Sequence, residues 1–153
     1  MAEMAIILPF LVLMVFGITE LGRALYQENT LAKAVESGAR YLGRAYGALD
    51  ANCEPVENAA EGISWSTSET RARNIIIYGD ENGGTTPLLP GLEVTDVSVS
   101  GPETVSGTIT PACVISIQAQ AQFDSLFGEG RIAPMLNFTL MLNASTQERW
   151  IGE

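Results

Sequence analysis

The stretch MAIILPFLVLMVFGI, from Met4 to Ile18, decides how this 153-residue chain folds. It is uninterrupted apolar sequence, with one carboxylate before it at Glu3 and another shortly after it at Glu20. A bilayer core about 30 Å thick requires roughly 20 apolar residues in a spanning helix, so this shorter run is a marginal anchor. We expect a segment that sits in a membrane temporarily or becomes buried among copies of itself.

A cleavable secretory signal does not explain the apolar run. Such a signal carries Lys or Arg before its core and small residues at a cleavage site after it. Here the preceding residues are Met-Ala-Glu, and residues 19–23 (TELGR) continue as helix-compatible sequence. Pro9 is expected to kink the helix or to begin its regular part, because proline lacks a backbone donor and crowds the preceding turn.

The helical pattern continues beyond the apolar run to about Tyr46. It carries a heptad stripe with alternating spacings of four and three residues. The stripe comprises Leu21, Leu25, Glu28, Ala32, Val35, Ala39, Leu42 and Tyr46. A helix of about 45 residues would be roughly 70 Å long, which is longer than a head of about 100 residues is wide. The second half alone could instead lie on its own domain, but the first half needs another molecule to cover it.

The net charge of −10 is concentrated in the second part of the chain. Residues 1–47 contain four of the 18 acids and four of the eight bases, which leaves 14 acids and four bases for residues 48–153. Nucleic-acid binding requires clustered Lys and Arg, so this composition disfavours a nucleic-acid partner. It fits a solvated outer surface whose negative charges repel neighbouring molecules and keep the protein soluble.

The composition also predicts two domains, a stalk helix over residues 1–47 and an acidic head over residues 48–153. In the head, Ser66-Thr67-Ser68-Glu69 predicts a capping box that opens a short helix, which ends after Tyr78 at Gly79. Alternating apolar residues predict strands over Ala112–Phe123 and Leu136–Ser145, and a valine-rich segment predicts another over residues 92–100.

The predicted fold class is therefore α+β. A long N-terminal helix, kinked near Pro9, precedes a small head of antiparallel sheet with one short helix. The apolar face of the sheet is expected to pack against the second half of the long helix and against the short helix.

Catalytic signatures are absent from the sequence. There is no histidine, and the two cysteines lack metal-site spacing. No glycine-rich phosphate loop follows a strand, and no haem-attachment motif is present. We therefore expect neither an enzyme nor a bound cofactor or metal.

Cys53 and Cys113 are the only cysteines. In an oxidising compartment we expect them to form a disulfide worth about 2–4 kcal/mol. The alternative is two unrelated buried thiols. Glycosylation sequons begin at Asn137 and Asn143 on the polar face of the last predicted strand, although such sequons often arise by chance.

Three N-terminal segments form a specific set of motifs: residues 3–9 (EMAIILP), 17–26 (GITELGRALY) and 36–41 (ESGARY). Looser similarity continues through residues 72–74 and 78–79, the two late strands and residues 145–149. This pattern resembles the TadE-like family of pseudopilins, which are relatives of the type IV pilins. The resemblance covers nearly the whole chain.

The resemblance implies a leader removed by a prepilin peptidase, a brief stay in the inner membrane, and export by pilus assembly machinery into or alongside an extracellular filament. Glu3 matches the acidic residue that in pilins pairs with the terminal amine of a neighbouring subunit, here Met1. Such a pair would offset the cost of burying an isolated carboxylate. Pilins place this residue fifth after cleavage and here it is third, so either processing differs or Met1 is not the mature N-terminus.

Glu20 and Arg23 match the family's Glu-x-x-Arg pair. Three residues apart on a helix, they could pair within one chain, which is worth only tenths of a kcal/mol if exposed. Between packed helices they could instead satisfy partners on neighbouring subunits. We expect the second arrangement, because the flanking stripe is apolar.

Together these features predict a structural pilin-like subunit that forms a helical homopolymer, because a heterologous contact that does not close builds a filament. The predicted assembly residues are Met1, Glu3, Pro9, Glu20 and Arg23. The predicted filament-core residues are Phe10, Leu13, Phe16, Leu21, Leu25, Ala32, Val35, Ala39 and Leu42. Two alternatives remain: a minor pseudopilin that primes or tips a filament of another pilin, and a membrane-anchored module whose sheet binds an extracellular ligand.

Overall fold

The computed structural model describes residues 2–57, 64–105, 112–125 and 140–152. One long helix, α1 (Ala2–Gly43), precedes a shorter helix, α2 (Trp65–Tyr78). A 3₁₀ turn (Val94–Asp96) then leads into three strands, β1 (Val97–Val105), β2 (Ala112–Gln122) and β3 (Met141–Arg149). The architecture is α+β, as the sequence predicts.

Helix α1 has two structurally different halves. It is 42 residues long and stays helical from Ala2 through Pro9, so Pro9 does not begin its regular part. At about 1.5 Å per residue the helix is roughly 60 Å long. Its large apolar side chains are exposed up to Tyr26, whereas Gln27 and Leu31 are buried. We call residues 2–26 the projecting helix; from Gln27 onward α1 is part of the head.

The sheet is antiparallel with the order β1-β2-β3. Val97 pairs with Ala119 at the start of β1, and Gln122 pairs with Met141 at the start of β3. The register of β1 against β2 shifts between Ser100 and Glu103, where a Gly-Pro pair interrupts the strand. The central strand β2 agrees with its predicted bounds to within one residue.

The core lies between one face of the sheet and the two helices. The inward residues of β2 are the predicted alternating set, and Ile115, Ile117, Ala119 and Ala121 are each at most 1% exposed. Leu31, Val35, Ala39 and Leu42 of α1 and Ala72, Ile76 and Ile77 of α2 complete the core. The helices approach closely at Gly38, because a Cβ there would lie 2.5 Å from Cγ1 of Ile76.

The burial of α1 corrects part of the predicted stripe. Val35, Ala39 and Leu42 are 0–1% exposed within the chain's own core, so they cannot pack between subunits. Their assignment to a filament core is wrong, because the face of α1 that carries them covers the sheet. The alternative, a helix that lies on its own domain, describes this half of α1.

The N-cap of α2 lies two residues before the predicted one. Ser64 is the N-cap, and its side chain accepts a hydrogen bond from the backbone N–H of Thr67. The helix can begin there because Trp65 is 7% exposed and packs into the core. The predicted end is confirmed, since Gly79 adopts a left-handed φ of 78° and donates its N–H to the carbonyl of Ile75.

The two outer strands differ from their predicted bounds. Strand β1 begins at Val97 rather than residue 92, because the side chains of Glu93 and Asp96 each accept a hydrogen bond from the other's backbone N–H and form a 3₁₀ turn. Strand β3 begins at Met141 and continues to Arg149. Residues 136–139 of the predicted strand, including Asn137, lie outside the described residues.

A disulfide between Cys53 and Cys113 ties the loop after α1 to β2, which confirms the predicted pairing. Asp50 holds the same loop, because its carboxylate accepts hydrogen bonds from the backbone N–H groups of Asn52 and Glu54. The bond from Glu54 contributes most to lowering the pKa of Asp50 below its ordinary value. Cys53 itself adopts a left-handed φ of 65° within this loop.

Candidate functional site

The most unusual surface of this protein is the projecting helix. Its large apolar side chains are 42–73% exposed, with Val12 the least exposed and Tyr26 the most. An α-helix has 3.6 residues per turn, so a continuous exposed apolar run covers every side of the helix. A helix that is apolar all round is normally covered by lipid or by other protein.

The dimensions of the projecting helix limit how it can be covered. Within the described ranges, α1 is the one helix long and apolar enough to cross a membrane. The apolar run from Met4 to Ile18 is only about 22 Å long, against a hydrocarbon core of about 30 Å. Exposed Leu21 and Leu25 extend the apolar surface further towards the head.

Most of the predicted filament-core residues lie on this exposed surface. Phe10 and Leu13 are 71% exposed, Leu21 is 61%, Leu25 is 51% and Phe16 is 50%. Ala32 is also exposed, on the side of α1 that faces away from the head. Pro9 is exposed as well. These residues are available to a partner, in contrast to the three that the head buries.

A polar seam marks the point where the projecting helix leaves the head. The side-chain amide of Gln27 donates from Nε2 to the carbonyl of Asp124 at 3.5 Å, and its Oε1 accepts from the N–H of Asp124 at 3.2 Å. Nη2 of Arg23 lies 3.6 Å from Oδ2 of Asp124. Because Asp124 follows β2, the seam fixes the end of the central strand to α1.

The structure pairs Glu20 and Arg23 within the chain. Nη1 of Arg23 lies 3.8 Å from Oε1 of Glu20, and the two side chains are 30% and 17% exposed respectively. From the sequence, Glu20 and Arg23 are expected to pair with neighbouring subunits, but here they pair with each other within one chain. The reason is that Asp124 supplies a second carboxylate to Arg23, so the pair belongs to the border of the head rather than to the apolar stripe.

Gln27 and Asp124 were not predicted as site residues. Gln27 lies four residues after Arg23 and seven after Glu20, a spacing that places all three on one face of the helix. That spacing was visible in the sequence. The approach of Asp124 was not, because it depends on how the sheet packs against α1.

The remaining predicted site residues have different outcomes. Met1 and the side chain of Glu3 lie outside the described part of the structure, so their pairing stays a prediction. Asn143 is exposed on β3, where its side-chain amide donates to the carbonyl of Met141 at 3.4 Å, and its glycosylation also stays a prediction. Among the described residues, no group of three His, Cys, Asp or Glu side chains could hold a metal ion.

Residues 1–40 match the family model described as TadE-like protein. The match confirms the resemblance that the N-terminal motifs predict. It covers the projecting helix and most of the packed half of α1, and it ends at residue 40. No curated protein and no solved structure matches the chain significantly.

Proposed function

We propose that this chain is a structural pilin-like subunit that polymerises through its projecting helix into an extracellular type IV-like filament. The observation that carries the proposal is a helix whose apolar run is exposed on all sides and which continues without a break into a disulfide-bonded head. The TadE-like match over this same helix supports a role in a pilus system.

In this proposal the apolar surface of the projecting helix is covered first by the membrane and then by the filament. Before assembly, the inner membrane covers the apolar run, which is short for a stable anchor. In the filament, the same side chains pack against copies of the helix. Moving them from lipid to protein gains far less than removing them from water, so close packing has to decide assembly. Large exposed side chains such as Phe10, Leu13 and Phe16 supply that packing.

The head and the N-terminus complete the proposed subunit. A prepilin peptidase removes a leader, and the carboxylate of Glu3 then pairs with the terminal amine of a neighbouring subunit. The acidic heads cover the outside of the filament and keep it soluble.

Truncating one exposed leucine tests whether the projecting helix packs in a filament. Leu13→Ala keeps the run apolar, so membrane insertion should persist, while the lost packing should reduce filaments sheared from cells. Deleting a leucine side chain from a packed interior typically costs about 2–5 kcal/mol. Leu88→Ala is the matched control, because Leu88 is a 44% exposed leucine of the head. Equal filament yields from the two variants would contradict the proposal.

The charge at position 3 gives a second test. Glu3→Gln should abolish filaments while the subunit accumulates in the membrane, because the partner of the neighbouring amine is lost. Glu28→Gln removes the same charge from an exposed position on α1 and should assemble normally. A membrane-anchored binding module would instead tolerate both changes, and that result would refute the proposal.

A further inference from the structure

A groove between α1 and α2 concentrates positive charge on an otherwise acidic protein. Arg40 of α1, Arg44 directly after α1 and Arg71 of α2 line it together with Tyr41 and Tyr46, and we call these five residues the arginine groove. It encloses about 560 Å³. Three of the eight basic residues of the chain therefore meet at one place, although the net charge is −10.

The positive charge of the arginine groove is only partly neutralised by acidic residues of the same chain. Arg40 forms an ion pair with Glu36, yet its side chain is 61% exposed. Arg71 forms a hydrogen bond with the hydroxyl of Tyr41, and this bond is the main reason that the pKa of Arg71 is raised. The negative charge of Glu81 raises the pKa of Arg71 by a smaller amount. Arg44 is exposed at the groove. Glu36 pairs with Arg40, whereas Arg44 forms no ion pair with another described residue.

Tyr46 gives the groove an apolar surface beside these charges. It is 60% exposed, and with Tyr41 it provides two aromatic rings within reach of the guanidinium groups. Arginine and tyrosine are among the residues that most often dominate binding energy at protein interfaces. The composition therefore fits a protein surface that carries carboxylates.

The position of the groove argues against a lipid ligand. Arg40 lies 20 residues after Glu20 on the same helix, which is roughly 30 Å along the axis. The membrane-covered run ends before Glu20, so phospholipid headgroups would lie far from the groove.

We propose that the arginine groove binds the acidic surface of the head of a second copy of this chain. The inference rests on the proposed function, because polymerisation through the projecting helix brings heads together at high local concentration. Two grooves cannot pair with each other, since their arginines repel. The contact therefore joins different surfaces of the two copies, and a heterologous contact of this kind can repeat along a filament.

A charge reversal tests the electrostatic part of this proposal. Arg44→Glu should reduce filament yield about tenfold or more, because a like-charge contact replaces an attractive one. Lys33→Glu makes the same charge change at an exposed position on α1 outside the groove and should have little effect. Equal yields from the two variants would overturn the proposal.

A photocrosslinker in place of Tyr46 identifies the occupant directly in the full-length chain on cells. We expect a dimer band whose crosslinked peptide comes from an acidic surface segment of the head of a second copy. Crosslinks to a different protein, or filaments without any crosslink through position 46, would overturn the inference and leave the proposed function standing. A dimer crosslink in cells that make no filament of this chain would support the groove contact and refute the proposed function.

Discussion

At Gly38 the packing of the head is sensitive to a single added atom. In Gly38→Ala, the new Cβ would lie 2.5 Å from Cγ1 and 2.8 Å from Cδ1 of Ile76, and 3.0 Å from the carbonyl oxygen of Ala72. Real Cβ atoms essentially never approach other atoms that closely. Helix α2 must therefore move away from α1, or Ile76 must leave its rotamer.

The expected effect is a net loss of stability. Replacing glycine by alanine in a helix normally gains about 1 kcal/mol. Overpacking a well-packed core typically costs about 1–3 kcal/mol, and this contact lies at the upper end because backbone is involved. We expect a net loss of about 1–2 kcal/mol in the free energy of unfolding. That loss corresponds to a drop of roughly 5–10 °C in Tm.

Thermal unfolding of the full chain in detergent, followed by near-UV circular dichroism, measures this change. Both tryptophans, Trp65 and Trp150, pack on the core of the head and report its melting. Gly22→Ala is the matched control, because it makes the same substitution in the same helix with nothing within 4 Å of the added Cβ. Its Tm should equal or exceed that of the unchanged chain, because the helical gain from replacing glycine by alanine is unopposed there. An unchanged or higher Tm for Gly38→Ala would refute the described contact between α1 and α2.

Three further predictions concern the head. Replacing Cys53 and Cys113 by alanine should lower stability by about 2–4 kcal/mol, measured as a Tm shift that reductant reproduces in the unchanged chain; no shift would contradict it. Because the pKa of Asp50 is lowered in the folded chain, its stabilisation is present above the ordinary value of 3.8 and is lost as pH falls through the folded value. As pH falls from 3.8 through the folded pKa of Asp50, exchange of the backbone amides in its loop should accelerate. Asp50→Asn should remove this pH dependence of the exchange rate. Gln27→Leu should cost about 1–3 kcal/mol, because it removes two part-buried hydrogen bonds to the backbone of Asp124, each worth about 0.5–1.5 kcal/mol; denaturant unfolding that matches the unchanged chain would disprove this.

The sequence predicts best those elements whose signals are local. Strand β2 follows from strict alternation, and the end of α2 follows from Gly79, which adopts the left-handed conformation the cap requires. The start of α2 was misplaced because Ser64 and Ser66 are both good caps. Burial of Trp65, a tertiary effect, selects the earlier one.

The candidate site shows the limit of helical periodicity. A stripe from Leu21 to Leu42 predicts that one face is apolar, but it does not say what covers that face. The sheet covers Val35, Ala39 and Leu42, whereas Leu21 and Leu25 remain exposed. That division depends on where the head meets α1, and Gln27 and Asp124 fix this point across 97 residues of sequence.

Electron microscopy of filaments sheared from cells, with mass spectrometry of their main protein and its N-terminus, shows whether this chain polymerises. We expect filaments in which this chain is the main protein, with Glu3 close to the mature N-terminus and the Cys53–Cys113 disulfide intact. Filaments that lack this chain, or contain it only in trace amounts while it remains in the membrane, would contradict the claim that it polymerises through its projecting helix.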